Sequence, residues 1–367
     1  MKHILIATGL YPPEIGGPAT YSKLLGNELP KHGFEVDVLP FSKVRHLPKI
    51  VRHIAYFFAI LGKGKSADLI YAQDPVSVGL PSMIAAKILR KKFFIRIAGD
   101  YAWEQGVQRY GITDDLDKFS TRLREYNLPT RVLKKIQKTV AKMSDTVIVP
   151  SYYFKKIITN WGVDSQKINV IYNGVDLNFD KIKKDKSSEK ILLSVGRLVP
   201  WKGFKELIQM IPDILKEDSN IKLHIAGDGP DMEKLRKIIK DLNLENDVVL
   251  LGKVSREELL KQKQSADIFV FNTHWESFSF DTIECMVLGL PVIATNVGPL
   301  PELIVNGKEG ILVEPNNKEQ IKNAVIKILR DDDFRLKIIQ NAREKSKKFS
   351  IDNTLNNLKK LLINSEK

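Results

Sequence analysis

The sequence predicts an α/β protein made of two doubly wound, Rossmann-like parallel-sheet domains facing across a cleft. Three observations predict it. Short apolar runs alternate with amphipathic stretches along nearly the whole chain, the pattern of a parallel sheet with helices packed on its faces. The alternation pauses once, at 176–190, where Lys181, Lys183, Lys184, Asp185, Lys186, Ser187 and Ser188 crowd together as in a solvated linker, and then restarts. The length of 367 residues suits two such domains better than one core.

In the first half, 3–8, 34–39, 69–71, 93–97 and 146–149 are apolar enough for buried strands, and 20–29 and 76–89 have helical patterning. In the second half, strands are expected at 190–195, 221–226, 248–251, 268–271 and 291–295. Helices are expected at 202–216, 232–242, 256–265, 279–288 and 318–329. Ligands of such sheets bind beyond the carboxyl ends of the strands, so the loops after each strand are where chemistry is sought.

Lys and Arg total 58 against 44 Asp and Glu, a net charge of +14 that favours polyanions, anionic membrane surfaces or phosphorylated substrates. No nucleic-acid-binding module accompanies that charge, so nucleic acid is not an expected partner. A single cysteine, Cys285, excludes a disulfide framework and any cysteine-based zinc cluster; it reads as a small buried hydrophobe in a reducing, cytoplasmic setting. Met1-Lys2-His3 and the short run after it lack the features of a secretory signal. The apolar run 54–61 is far below the ~20 residues that a spanning helix needs.

Four loops of the second half carry candidate chemistry. Gly196-Arg197 and Lys202-Gly203 precede a helix, where guanidinium, ammonium and backbone N–H groups suit a phosphate dianion. Gly227-Asp228-Gly229-Pro230 is a tight turn whose glycines let a ligand approach the backbone, although a plain strand-to-helix turn reads equally well. Lys253 and Val254, after Gly252, offer backbone groups to a nucleobase edge. The fourth loop holds Glu276, and Glu284 follows eight positions on inside a helix; paired carboxylates suit vicinal hydroxyls. The N–H groups of Phe278, Ser279 and Phe280 open that helix and suit a phosphate.

Taken in order, Gly196-Arg197, Lys202-Gly203, Gly227–Pro230, Glu276, Glu284, the run 291–298 and Pro301-Glu302 resemble the retaining glycosyltransferases of family 4, which have the GT-B fold. The resemblance extends to the first half. Gly16-Gly17 falls where the family has a loop facing the donor diphosphate, and Asn173-Gly174-Val175-Asp176 matches the crossing into the second domain. The domains it implies are 1–172, completed by a crossing helix at 350–367, and 173–349. Many family members carry a histidine after the fourth strand that contacts the transferred sugar. Here Ala98 or Asp100 stands in its place, and Asp100 either meets an acceptor or caps a helix.

The resemblance implies transfer of a hexose from a nucleotide-sugar, UDP-sugar favoured, to an acceptor hydroxyl with retention. Arg197 and Lys202 would supply positive potential to the leaving diphosphate, Glu276 would hold the donor sugar, and Glu284 the ribose. No metal ion or other cofactor is expected; Asp114-Asp115 and 331–333 read as solvated acidic turns. A catalytically weak sugar- or nucleotide-binding relative and a nucleotide-sugar epimerase of the same fold are the alternatives.

Between Asp37 and Asp68 no acidic residue occurs, while Lys43, Arg45, Lys49, Arg52, Lys63 and Lys65 do. Ile50, Ile54, Phe57, Phe58 and Leu61 recur at helical spacing within this span. A basic amphipathic helix of that kind suits an anionic membrane surface, and a core-packed helix with a basic rim is the other reading. The charge pattern favours a lipid-linked or phosphorylated glycan precursor as acceptor, met by a peripheral enzyme on the inner face of the cell membrane. A second stripe, Arg131, Lys134, Lys135, Lys138 and Lys142, reads as a solvated helix face.

Overall fold

The computed structural model describes residues 1–364 apart from 15, 123–124 and 180–188. Two compact units emerge: Met1–Asn173 together with the stretch beginning at Asp352, and Gly174–Ile351. The lysine- and serine-rich part of the expected linker lies outside the described residues.

Unit 1 contains β1 (Lys2–Thr8), α1 (Gly17–Glu28), β2 (Phe34–Pro40), α2 (Lys49–Gly64), β3 (Leu69–Ala72) and α3 (Gly79–Leu89). These are followed by β4 (Lys92–Arg96), α4 (Tyr101–Tyr110), α5 (Leu116–Thr121), α6 (Leu128–Met143), β5 (Thr146–Val149), α7 (Tyr152–Asn160) and β6 (Ile168–Val170). The sheet order is β2-β1-β3-β4-β5-β6, with every pairing parallel. Ile4, Leu5, Ile6 and Ala7 are all fully buried. Successive residues of a strand face opposite sides, so both faces of β1 are covered, which is why the run is continuously apolar rather than alternating.

Unit 2 contains β7 (Lys190–Val195), α8 (Phe204–Leu215), β8 (Ile221–Ala226), α9 (Met232–Asp241), β9 (Val248–Gly252), α10 (Arg256–Ser265) and β10 (Ile268–Phe271). It continues through α11 (Phe280–Leu288), β11 (Val292–Thr295), α12 (Leu300–Leu303), β12 (Ile311–Val313), α13 (Lys318–Arg330) and α14 (Asp332–Ser346). Its order is β12-β11-β10-β7-β8-β9, again all parallel. Leu207, Ile208, Ile211 and Ile214 line one face of α8 and pack into a core with Leu223, Ile225, Val270 and Ile293. Each such burial stabilises by about 1.5–3 kcal/mol.

The chain leaves unit 1 at Asn173, which accepts a hydrogen bond from buried Arg96. At Gly174 a Cβ would lie 2.6 Å from the Ile351 backbone, so only glycine fits. Val175 N donates to Phe349 O and pairs with Ser350, bringing the outgoing and returning segments together. The last helix, α15 (Ile351–Asn364), then completes unit 1; Thr354 Oγ1 donates to Tyr172 O and Lys2 Nζ to Leu362 O.

The expected strands are found within a residue or two. Two were missed, β6 and β12, each three residues long at a sheet edge, too short for periodicity to register. The helix expected at 76–89 begins at Gly79, because Asp74 Oδ1 holds the N–H groups of Val76, Ser77 and Val78 in a turn. The helix expected from 202 begins at Phe204, after a 3₁₀ turn at Pro200–Lys202. Pro291 lies outside β11.

One helix face corrects the sequence reading and a second narrows it. In α6, Lys134 is 1 % exposed rather than solvated. Its ammonium donates to the carbonyls of Phe119 and Arg122 and sits 3.8 Å from the Phe119 ring, and burial lowers its pKa to about 8. In α2 the packed face is the less apolar one. Tyr56 and Ile60 are fully buried, whereas Ile50, Ile54 and Phe58 are 76, 51 and 63 % exposed. Arg52 does not share that outer face, since its Nε is buried.

Candidate active site

In unit 2 the strand order reverses between β7 and β10, so the loops after those strands diverge and leave room for a ligand. These are the loops 196–203 and 272–279. Gly203 has φ 64° and a Cβ there would lie 2.0 Å from Asn272 O, so glycine lets the two loops touch. Asn272 Nδ2 donates to Gly203 O at 3.1 Å, and His274 N donates to Trp201 O at 2.7 Å.

That contact carries two predicted site residues into an ion pair. Lys202 Nζ lies 2.7 Å from Glu276 Oε2, with the side chains 14 and 12 % exposed. The ammonium also sits 4.7 Å from the Phe271 ring. Glu276 Oε1 accepts from the N–H groups of Ser277 (2.9 Å) and Phe278 (3.4 Å). Arg197 is exposed and forms no ion pair among the described residues. Ser279 caps α11 by accepting from Thr282 N, and Phe280 begins the helix.

Gly227 and Gly229 belong to the same constellation for a reason other than ligand approach. A Cβ on Gly227 would lie 1.8 Å from Gly196 O, and one on Gly229 would lie 2.3 Å from Leu198 O. Gly196 N donates to Ala226 O, Leu198 N to Asp228 O and Gly227 N to Gly252 O. The loops after β7, β8 and β9 are therefore zipped backbone to backbone. Lys253 is exposed and Val254 half-buried beyond this zipper.

Glu284 is 2 % exposed, and both its oxygens are engaged, a state the sequence did not reveal. Lys263 Nζ, 0 % exposed, lies 2.5 Å from Glu284 Oε2 and 2.6 Å from Asp281 Oδ1; Arg256 Nη2 lies 2.5 Å from Glu284 Oε1. Burial opposes the charge on Lys263, but the two carboxylates outweigh it and hold its pKa above the usual lysine range. Burial likewise opposes the charge on Asp281, and Lys263 outweighs it, leaving Asp281 below the usual range. Lys263 lies in the polar helix α10, whose sequence has no apolar periodicity to mark an inward position. Buried Cys285 has its thiol pKa pushed up by burial.

Unit 1 has its own reversal, between β1 and β3. The loops after β1, β3 and β4 and the start of α4 border a cavity of about 390 Å³, whose lining includes Arg45, Arg52, Gln73, Asp74, Tyr101 and Glu104. Gln73 is 4 % exposed, and among the described residues neither atom of its amide has a hydrogen-bond partner. The Arg52 guanidinium sits 5.7 Å from the Phe41 ring, and Arg45 contacts Glu14 and donates to Gly9 O. Burial raises the Asp74 pKa. Gly16, with φ 142°, caps α1, and Gly17 begins it.

Asp100 takes the helix-capping one of the two roles expected of it. It is fully buried: Oδ1 accepts from Trp103 N at the start of α4 and from Gln137 Nε2, and burial raises its pKa. Of the four expected catalytic residues, the structure pairs Lys202 with Glu276, keeps Arg197 on the loop of Lys202, and leaves Asp100 inside unit 1 as a helix cap. Among the described residues no group of three or more His, Cys, Asp or Glu is placed to hold a metal ion, and no helix is long and apolar enough to cross a membrane.

Comparison with known proteins gives matches over nearly the whole chain. The sequence profile of Glycosyltransferase Family 4 matches residues 15–179, and that of Glycosyl transferases group 1 matches residues 176–345. An uncharacterized glycosyltransferase of Methanocaldococcus jannaschii is 34 % identical over 213 residues, 54 % of this chain and 54 % of the relative. The N-acetyl-alpha-D-glucosaminyl L-malate synthase of Bacillus anthracis is 24 % identical over 348 residues, 90 % of this chain and 89 % of that one. With the archaeal protein and others like it, the chain spans little more than half the relative's length. HepE of Anabaena, in complex with UDP and glucose, superposes with a TM-score of 0.78 at 19 % identity, covering 99 % of this chain and 100 % of that one. At that identity the likeness concerns the fold.

Proposed function

We propose that this chain, a member of the family 4 glycosyltransferases with the GT-B fold, moves a hexose from a nucleotide-sugar to an acceptor hydroxyl with retention at the anomeric carbon. The preferred donor is a UDP-sugar, and the acceptor is a lipid-linked or phosphorylated precursor in polysaccharide biosynthesis. The observation that carries this reading is the Lys202–Glu276 pair on two touching loops at the strand-order reversal of unit 2, with exposed Arg197 on one of them.

Arg197 and Lys202 meet the diphosphate, and each stabilises the negative charge that grows on it as the bond to the sugar breaks. No metal ion is needed for that role. Glu276 takes sugar hydroxyls, its orientation fixed by the Ser277 and Phe278 N–H groups. Glu284 receives ribose hydroxyls on Oε1 once Arg256, 59 % exposed, swings off it, while Lys263 keeps Oε2 in place. The acceptor hydroxyl attacks on the face the diphosphate leaves. Its oxygen bonds to the anomeric carbon, the bond to the phosphate oxygen breaks, and the proton passes to that oxygen. The acceptor occupies the cavity of unit 1, where Gln73, Asp74 and Arg52 offer an unpartnered amide, a carboxylate and a guanidinium.

Thermal unfolding with UDP, GDP and ADP tests the donor site. Nucleotide at 100 times its dissociation constant adds about 2.7 kcal/mol. The expected result is stabilisation by UDP that falls sharply in Lys202→Gln, followed by UDP-sugar turnover with retention seen by NMR of the product. Stabilisation by none of the three nucleotides refutes the reading.

A further inference from the structure

The outward face of α2 is the least explained feature of unit 1. Ile50, Val51, Ile54 and Phe58 fall within about one third of the helix circumference, and all four are exposed. The opposite face is the packed one: Tyr56 and Ile60 are fully buried, the Tyr56 hydroxyl donates to Leu39 O, and Arg52 lines the cavity. A soluble helix ordinarily turns its apolar arc inward. Here the core takes Tyr56 and Ile60 and leaves the larger arc in water. The neighbouring helix α3, packed against α2, also exposes Ile84 and Ile88.

Charge says what covers this face. Residues 38–67 and 75–99 contain no Asp or Glu at all. Lys43, Arg45, His46 and Lys65 flank α2 and Lys63 lies in its last turn, all exposed, and Lys87 and Arg90 are exposed at the end of α3. An apolar strip with an excess of cations around it matches the interface of a bilayer carrying anionic lipids, with side chains entering the acyl boundary and ammonium groups at the headgroups. Two acidic side chains reach these cations, Glu14 to Arg45 and Asp37 to Lys63; the cations outnumber them, which favours an anionic surface over a protein partner or a second copy of this chain.

We propose that the α2 face of unit 1 docks on an anionic lipid bilayer and so brings the cavity bordered by Arg52 to lipid-linked acceptors. The delivery of acceptor rests on the function proposed above; the docking itself does not. α2 thus carries the exposed strip on one side and a cavity-lining residue, Arg52, on the other.

The test uses the full chain, sedimented with vesicles of phosphatidylcholine with or without phosphatidylglycerol, alongside an Ile54→Glu/Phe58→Glu variant. The expected result is binding that requires phosphatidylglycerol and falls about tenfold or more in the variant, whose UDP-induced thermal shift is unchanged. Absence of vesicle binding, or equal binding by the variant, overturns docking whatever the donor site does. Loss of the UDP shift in both proteins counts against the glycosyltransferase reading alone. A concentration-dependent dimer that the variant abolishes assigns the face to a second copy and also overturns the proposal. Should the double variant fail to fold, Phe58→Trp serves instead: its emission shifts to the blue on phosphatidylglycerol vesicles if the face docks, and no shift overturns it.

Discussion

Replacing Lys263 with Met removes one positive charge from the cluster it forms with Asp281 and Glu284 while keeping most of the side-chain stem. Glu284, 3 % exposed at its side chain, is the group left uncompensated; Asp281, at 31 %, retains water. Breaking a buried pair by removing one partner costs about 3–5 kcal/mol. Arg256 still holds Glu284 Oε1 but is 59 % exposed, so it offsets part of that cost. We therefore expect a loss of about 3 kcal/mol for Lys263→Met. A Lys263→Met/Glu284→Gln/Asp281→Asn triple variant should recover all but about 1 kcal/mol, since it leaves no buried charge.

Urea unfolding followed by the fluorescence of Trp201 and Trp275, both in unit 2, measures these losses. pH supplies an independent check. The Asp281 pKa is depressed from the ordinary 3.8, so its contribution is present above that pH and lost as pH falls through the folded value. The Lys263 pKa is raised from the ordinary 10.5, so its contribution is present below that pH and lost as pH rises through the folded value. The parent should weaken at both extremes, and Lys263→Met should flatten both limbs. A single-variant loss below about 1 kcal/mol, or a triple variant no more stable than the single, would refute the reasoning.

Three further expectations concern single positions. Gly227→Ala should cost about 3 kcal/mol in urea unfolding, because φ 148° disfavours a side chain and the new Cβ would meet Gly196 O. Gly33→Ala, at φ 86° with nothing within 4 Å of its Cβ, should cost only about 1–2 kcal/mol. Burial lowers the Lys134 pKa to about 8, so between that pH and the ordinary 10.5 the folded chain binds fewer protons than the unfolded one. Stability from this group should rise across that window, and denaturant midpoints of Lys134→Met should lack the rise.

By itself the sequence determined the layered architecture, because continuous runs such as 3–8 and 268–271 can only be strands buried on both faces, and amphipathic stretches must cover them. It also marked candidate loops: Gly196, Lys202, Gly227, Glu276 and Glu284 are legible from their order along the chain. What those residues touch was decided by tertiary structure alone. Only packing reveals that Gly227 yields its space to the backbone of Gly196, which of its two expected roles Asp100 takes, or that Lys263 lies between Asp281 and Glu284. Periodicity shows that a helix has two faces, as in α2, but the choice between them depends on which face its neighbours can accept. There Leu39 O offers the Tyr56 hydroxyl a buried acceptor, so the inner positions went to this polar-tipped ring and Ile60, and Ile50 and Ile54 were left outside. That choice is a property of the three-dimensional surroundings, which no local pattern encodes.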